Sequence, residues 1–272
     1  MNKNLFSLKD KGILFSGATG VLGSEMSKYL ARQGAHIIVL GRNISKVNNL
    51  VDAIKAEGGK ADGLIADVTD QEDLEKSYSE LQERELDFDI LINAAGGNQK
   101  GAVIGPDQTF LDLNIDALRE VIDLNYLGTV LPIFTFLPYF LKQGYGNIIN
   151  ISSMAAERPM TRVMGYASAK AGIDNLTKFL SVELAQKHGP NFRVNALAPG
   201  FFLTDQNREL LTDPSGNLTE RGKQIIDHTP MDRFGQPEDL LGAIHWLCSD
   251  ASGFVTGSVV KVDGGFSAYS GV

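Results

Sequence analysis

One cysteine and four histidines in 272 residues leave this sequence little with which to hold a metal or cross-link itself. With Cys248 alone, an intramolecular disulfide and any multi-cysteine metal site are excluded. His36, His188, His228 and His245 stand apart, with no His-x-x-x-His or Glu-His cluster at ligand spacing, so no metal is expected. His245, beside Trp246 and Cys248, reads as a helix packing residue. A Gly-x-Ser-x-Gly elbow is absent, which removes the usual serine-hydrolase arrangement. Positive charge is short as well: 25 basic residues against 33 acidic give a formal net charge of −8. That balance argues against nucleic acid or an anionic membrane as partner, since both need a basic face. The N-terminus has no long apolar stretch or cleavage signal, and no later run reaches membrane-spanning length, so the cytoplasm is the expected location. Internal repeats, linkers and low-complexity segments are also missing.

What is present is 43% hydrophobic residues, ample for a buried core. Short apolar runs alternate with helical stripes along the whole chain. The runs at 13–15, 37–40, 61–66, 90–92, 146–151, 192–197 and 259–262 read as strands, and the stripes between them as helices. This alternation predicts an α/β fold, a single-domain Rossmann-type doubly wound parallel seven-stranded sheet with helices on both faces. The domain spans 1–272, and the insertion at about 201–231 is expected to cover a pocket as a substrate loop.

The first βα junction reads Gly17-Ala18-Thr19-Gly20-Val21-Leu22-Gly23, strand to glycine turn to helix to strand within about thirty residues. Glycines there let the backbone approach a pyrophosphate at a helix N-terminus, so Gly17, Thr19, Gly20, Val21, Leu22 and Gly23 are cofactor candidates. At the end of the second strand, where an acidic residue would meet ribose hydroxyls, stand Gly41 and Arg42. Arg42 either pairs with a 2′-phosphate, favouring NADP, or begins the next helix as a solvated cation. Asp67, followed by Val68, either meets an adenine edge or caps the following helix. Asn93, ahead of the small residues Ala94, Ala95 and Gly96, either borders a cofactor ribose or stitches adjacent strands. Asn125 is polar within an apolar helix read over 116–142, and is either a satisfied core amide or the holder of a water.

The fifth strand delivers Ser152 and Ser153 to the carboxyl edge of the sheet, where ligands bind in open α/β folds. A helix carrying Tyr166-Ala167-Ser168-Ala169-Lys170 follows. Tyr166 and Lys170, at i and i+4, share one face. An ammonium beside a phenol favours the phenolate and lowers its pKa toward working pH, which makes Tyr166 a candidate general acid/base. The spacing alone is weak; its company gives it weight.

Taken together these stretches resemble the short-chain dehydrogenase/reductase superfamily. The matching residues are the glycine turn, Asp67-Val68, Asn93-Ala94-Ala95-Gly96, Asn125, Asn150-Ile151-Ser152-Ser153, Tyr166 with Lys170, Pro199-Gly200 with Thr204, and Val262-Asp263-Gly264-Gly265. The turn departs from the commonest form in having Ser16 for Thr and Gly20 one position early. The resemblance implies that Tyr166 exchanges the alcohol proton and that Ser153 hydrogen-bonds the carbonyl oxygen. It further implies that Lys170 holds the nicotinamide ribose, that Asn125 fixes a water, and that Pro199, Gly200 and Thr204 border the nicotinamide.

A closer resemblance is to the D-mannonate oxidoreductase (fructuronate reductase) branch. It rests on Asn93 through Asn98, Pro199 through Arg208, Leu218-Thr219-Glu220-Arg221-Gly222, His228-Thr229-Pro230-Met231 and the tail from Gly264. It implies a sugar-acid substrate, D-fructuronate and D-mannonate foremost, a homotetramer built on the helices near 116–142 and 163–187, and NAD rather than the NADP that Arg42 favours. The cofactor expectation is therefore NAD or NADP. Arg208, Arg158 and Lys100 are the candidates to grip a substrate carboxylate, with Asn207 beside them. Another sugar-acid or polyol dehydrogenase, such as a gluconate 5-dehydrogenase, is the alternative enzyme, and a non-catalytic dinucleotide sensor is the alternative outside enzymes.

Overall fold

The computed structural model describes residues 4–204 and 208–271. Its strands are β1 (Gly12–Ser16), β2 (His36–Gly41), β3 (Lys60–Ile65), β4 (Ile90–Asn93), β5 (Gly146–Ile151), β6 (Phe192–Pro199) and β7 (Val259–Val262). Between them run α1 (Val21–Arg32), α2 (Ile44–Ala56), α3 (Gln71–Glu83), α4 (Ile115–Ile122), α5 (Gly128–Gln143), α6 (Met164–His188), α7 (Arg208–Leu211), α8 (Glu220–Asp227) and α9 (Leu241–Cys248). The strands form one sheet in the order β3-β2-β1-β4-β5-β6-β7, every neighbouring pair parallel.

A parallel sheet is covered on both faces, so β1, β2 and β4 are largely apolar rather than alternating. Ile13 and Phe15 pack with α1, α2 and α9 on one face, while Leu14 packs with α3, α5 and α6 on the other. The chain builds β1 to β3 outward in one direction and then returns to place β4 on the opposite side of β1. That reversal opens a crevice at the carboxyl ends of β1 and β4, where an open α/β sheet binds its ligands.

Side-chain caps fix several helix starts. Asn43 caps α2 by accepting from Lys46 N at 3.0 Å, and Asp70 caps α3 by accepting from Asp73 N at 3.1 Å. The cap before α3 is therefore Asp70, leaving Asp67 for another role. His245 is a packing residue, as read: its Nε2 lies 2.7 Å from the Phe6 carbonyl and its Nδ1 3.1 Å from the Tyr29 hydroxyl.

The helix read over 116–142 is longer and less regular than expected. It runs from Ile115 to Gln143 with a π turn, Asp123–Leu127, between α4 and α5. Its length of 29 residues and a mean hydropathy of 1.4 in its most apolar window would suffice to cross a membrane, contrary to the sequence reading. Here part of that apolarity is buried: Ile133, Phe136 and Phe140 pack in the core under the sheet, the Phe88 and Phe140 rings meet at 5.0 Å, and Val121 lies toward Gly165 of α6, while Phe134 stays exposed.

Candidate active site

The turn from β1 into α1 is compressed against the end of β4. Gly17 has φ +73°, and a Cβ there would lie 2.4 Å from the Ala94 carbonyl carbon and from Ala95 N. A Cβ on Gly23 would lie 2.3 Å from Gly17 O, whereas at Gly20 the nearest atom is 3.4 Å away. Gly17 and Gly23 are thus required by close backbone approach, and Gly20 is not. Helix α1 opens at Gly20 with no side-chain cap and no acidic residue in its first turn. A bare N-terminus at the crevice, bordered by Thr19 and exposed Val21, fits the diphosphate of a dinucleotide. Leu22 instead packs on the core.

Beside this turn, two polar side chains converge on Gly96. A Cβ on that residue would lie 2.6 Å from Asn125 Oδ1 and 3.3 Å from Lys170 Nζ. Asn125 sits in the π turn and is fully buried. Its Nδ2 donates to Gly97 O at 2.7 Å and to Val121 O at 2.8 Å, and its Oδ1 accepts from Gly97 N at 3.2 Å. Lys170 Nζ donates to Ile151 O at 2.7 Å and lies 5.6 Å from the centroid of the Tyr166 ring. The Ser153 side chain interacts with the Tyr166 phenol, and its hydroxyl accepts from Ala155 N at 3.2 Å. Ser153, Tyr166, Lys170 and Asn125, far apart in sequence, are therefore assembled at the carboxyl ends of β4 and β5.

Burial is the largest influence on Tyr166 and raises its pKa, while the Ser153 hydrogen bond pulls it back. Lys170 does not figure among the influences, so the expected lowering by its ammonium is not found; the ammonium is held at the Ile151 carbonyl. Burial lowers the pKa of Lys170 to about 8, and the Asp174 carboxylate opposes that shift. Asp174, one turn beyond Lys170, was passed over in sequence. Burial raises its own pKa, opposed by a hydrogen bond with Ser152 and by Lys178 and Lys170.

Asn93 stitches rather than lines the crevice. Its Nδ2 donates to Asn150 Oδ1 at 3.0 Å, and Asn150 Nδ2 donates to Thr177 Oγ1 at 3.0 Å, tying β4 to β5 and to α6. Ala94, Ala95 and Gly96 carry the exposed side of this edge. Val68 is also turned inward, against Gly128. Asp67 accepts from Thr69 N at 2.9 Å and Thr69 Oγ1 at 2.7 Å, and Arg42 Nη1 donates to it at 3.2 Å. Burial would raise the pKa of Asp67, but these partners outweigh it and hold the carboxyl below its ordinary value.

Residues 17–267 match the family model described as enoyl-(acyl carrier protein) reductase. The chain is 43% identical over 275 residues to UxuB, an uncharacterised oxidoreductase of Bacillus subtilis, covering 98% of both chains. The chain belongs to the short-chain dehydrogenase/reductase family. Its fold is similar to that of a provisional D-mannonate oxidoreductase of Haemophilus influenzae with bound NAD, at TM-score 0.91 and 42% identity over 98% of each chain. It is also similar to a gluconate 5-dehydrogenase of Burkholderia cenocepacia in complex with NADP and tartrate, at TM-score 0.87 and 29% identity over 97% of this chain and 98% of that one.

For this short-chain dehydrogenase/reductase, the carboxylate candidates fare unevenly. Arg158 is committed elsewhere: its Nε and Nη2 donate to Ser267 O at 3.0 and 2.6 Å, anchoring the tail. That departs from the sequence expectation, because a guanidinium already holding a carbonyl has fewer donors to offer. Lys100 and Arg208 are exposed, and Arg208 opens α7. Asn207 lies outside the described residues. Pro199 ends β6, Gly200 N donates to Val262 O at 2.9 Å, and Thr204 O accepts from Arg208 N at 2.9 Å, so this stretch borders the same edge. A cavity of about 400 Å³ beneath the loop after β6, lined by Phe201, Thr229, Met231, Lys261 and Asp263, does not include Ser153 or Tyr166.

Proposed function

We propose that this family member reversibly reduces a keto sugar acid to its alcohol with NAD or NADP, D-fructuronate and D-mannonate being the foremost pair. The observation that carries the proton-transfer chemistry is the Ser153 hydroxyl set against the Tyr166 phenol, beside a buried Lys170 and next to the glycine turn. Similarity at 42% identity to the provisional D-mannonate oxidoreductase supports the substrate class. The bound nicotinamide supplies or accepts the hydride. In reduction, Tyr166 gives its proton to the carbonyl oxygen as negative charge develops there, and Ser153 donates a hydrogen bond to the same oxygen. The raised pKa of Tyr166 keeps the phenol protonated at neutral pH, which suits the reductive direction. Lys170, whose ammonium lies 5.6 Å from the Tyr166 ring, would hold the ribose side of the cofactor and return the proton, and Asn125 would fix the water that supplies it.

Gluconate 5-dehydrogenase activity is the second reading, supported by the fold shared with the Burkholderia enzyme. Assembly as a homotetramer belongs to the same proposal; exposed Phe134, Phe179 and Val182 on α5 and α6 support it, and a monomer by light scattering at micromolar concentration would contradict it. The deciding experiment measures NADH and NADPH consumption with D-fructuronate, 5-keto-D-gluconate and neutral keto sugars. D-Fructuronate is expected to give the highest kcat/KM, and Tyr166→Phe to abolish turnover. Reduction of no keto sugar acid, or full turnover in Tyr166→Phe, would reject the proposal.

A further inference from the structure

Arg158 places two donors on one carbonyl: its Nε and Nη2 reach Ser267 O at 3.0 and 2.6 Å, across 109 residues of sequence. Each end of that contact belongs to a tight turn. At the Arg158 end, Met154–Ala156 form a 3₁₀ turn whose N-cap is Ser153 itself, the hydroxyl accepting from Ala155 N at 3.2 Å. Arg158 N closes the same turn on Met154 O at 3.1 Å, beside Glu157 N on that oxygen at 3.2 Å. The residue proposed to meet the substrate oxygen and the residue that meets the tail are therefore the two ends of one short unit.

At the Ser267 end, Asp263 accepts from Gly265 N with Oδ1 and from Ser267 N with Oδ2, both at 3.0 Å, while Phe266 N returns to Asp263 O at 3.1 Å. Gly264 and Gly265 permit this turn with φ of +62° and +88°. The turn is wedged among its neighbours. A Cβ on Gly200 would lie 2.6 Å from Asp263 Cα, Met231 N donates to Gly264 O at 3.1 Å, and the Phe201 and Phe266 rings meet edge to face at 5.2 Å. Ser267 is only 3% exposed. The carbonyl offered to Arg158 is thus a fixed point, set against the end of β6 and residues 229–231.

A hydroxyl stabilises developing charge only where its backbone holds it at the reacting oxygen, and a shift of about an ångström there can cost about a hundredfold in rate. We propose that Arg158 is a positioning residue for Ser153: by fastening the 154–156 turn to the Ser267 carbonyl it fixes the Ser153 hydroxyl at the reacting oxygen, with the C-terminal tail as its anchor. This rests on the reading of Ser153 and Tyr166 as the proton-transfer site. It differs in outcome from the carboxylate grip expected of Arg158 from sequence, since a grip favours acids alone whereas a latch serves every substrate. The neighbouring Glu157 pairs with Lys261 of β7, but with side chains 52% and 38% exposed that ion pair contributes little.

The test compares wild type with Arg158→Met, Arg158→Lys and, as a charge control, Lys261→Gln. Amide hydrogen exchange needs no substrate: in Arg158→Met the amides of Ala155 and Arg158 and those of Ser267 through Tyr269 should lose protection together, with the sheet unchanged. Single-turnover reduction of D-fructuronate and of its uncharged methyl ester should both slow by about tenfold, with NADH affinity unaltered. Arg158→Lys, which keeps a charged donor for Ser267 O, should recover part of both effects, and Lys261→Gln should match wild type. In a Ser153→Ala background Arg158→Met should add no further loss, because the group it positions is gone. Wild-type exchange in Arg158→Met, a loss confined to the acid, an equal loss in Lys261→Gln, or a full further loss on top of Ser153→Ala overturns the assignment while leaving the proposed function intact. Should the wild type reduce none of the keto sugars named above, the functional reading itself fails and the positioning role with it.

Discussion

Lys170 Nζ donates a 2.7 Å hydrogen bond to the carbonyl of Ile151, the last residue of β5, and so holds an ammonium in a site where Lys170 is only 4% exposed. Burial brings its pKa down from 10.5 to about 8. An unfolded chain keeps that proton up to about 10.5, whereas the folded protein releases it near 8, so between these values the unfolded state binds more protons. Stability therefore rises with pH across this window. Below pH 8 the folded protein bears the whole penalty, on the order of 3 kcal/mol for a shift of this size.

Lys170→Met removes that titration. Losing the bond to Ile151 adds a constant offset to the stability difference, but the pH-dependent part belongs to the amine. Relative to wild type, the variant should be at its most stable below pH 8 and should lose that advantage progressively toward pH 10.5. Urea melts at pH 7, 8.5 and 10 measure it. A difference that does not change with pH would show that Lys170 titrates at its ordinary value.

At the end of β2, the proposed 2′-phosphate contact would fall to Arg42. Its side chain is 74% exposed and donates to Asp67 at 3.2 Å, an ion pair too well solvated to matter much for stability. The same position lets it turn to a 2′-phosphate, where a charge-assisted contact is worth about 1.4 kcal/mol, or tenfold. Arg42→Ala should lower the NADPH-to-NADH ratio of kcat/KM by about that factor. Gly41→Asp should shift the ratio the same way by placing a carboxylate where ribose hydroxyls are met, provided that the Val47 methyl, 3.2 Å from the added Cβ, gives by a few tenths of an ångström. Steady-state kinetics with both cofactors decide it, and an unchanged ratio in Arg42→Ala would remove the phosphate role.

What the sequence could reveal follows from how local each feature is. Every strand was legible, most clearly where a sheet buried on both faces leaves runs such as 37–40 and 90–92 apolar without interruption. Ser153, Tyr166 and Lys170 were legible because a helix and the end of a strand carry them in short motifs. The π turn at Asp123–Leu127 was not, since a single wide turn leaves no mark on the apolar period of the helix. Nor was the fate of Arg158, whose partner Ser267 lies across the fold on the tail. Asn93 had two readings until Asn150 was seen beside it. The pKa of Tyr166 was misjudged because spacing reports which residues share a helix face but not how deeply they are buried.

Gly96 is where small size matters most directly for chemistry. Its surroundings cannot give way easily: Asn125 is gripped through Gly97 O and Val121 O at 2.7 and 2.8 Å, and Lys170 is held at Ile151 O. An alanine methyl placed 2.6 Å from Asn125 Oδ1 must push either that amide or the backbone carrying Ala94 through Gly97. Each displacement moves groups that flank the nicotinamide side of the proposed site, and shifts of about an ångström there can cost about a hundredfold in rate. Gly96→Ala should therefore lose between about tenfold and a hundredfold in kcat while keeping its secondary structure and a cooperative melt. Gly97→Ala, where an added Cβ meets nothing within 4 Å, should retain far more of the turnover. Circular dichroism and single-turnover kinetics on the two variants make the comparison. Equal losses in both would mean that the flexibility of this loop, rather than the space between Asn125 and Lys170, is what glycine provides.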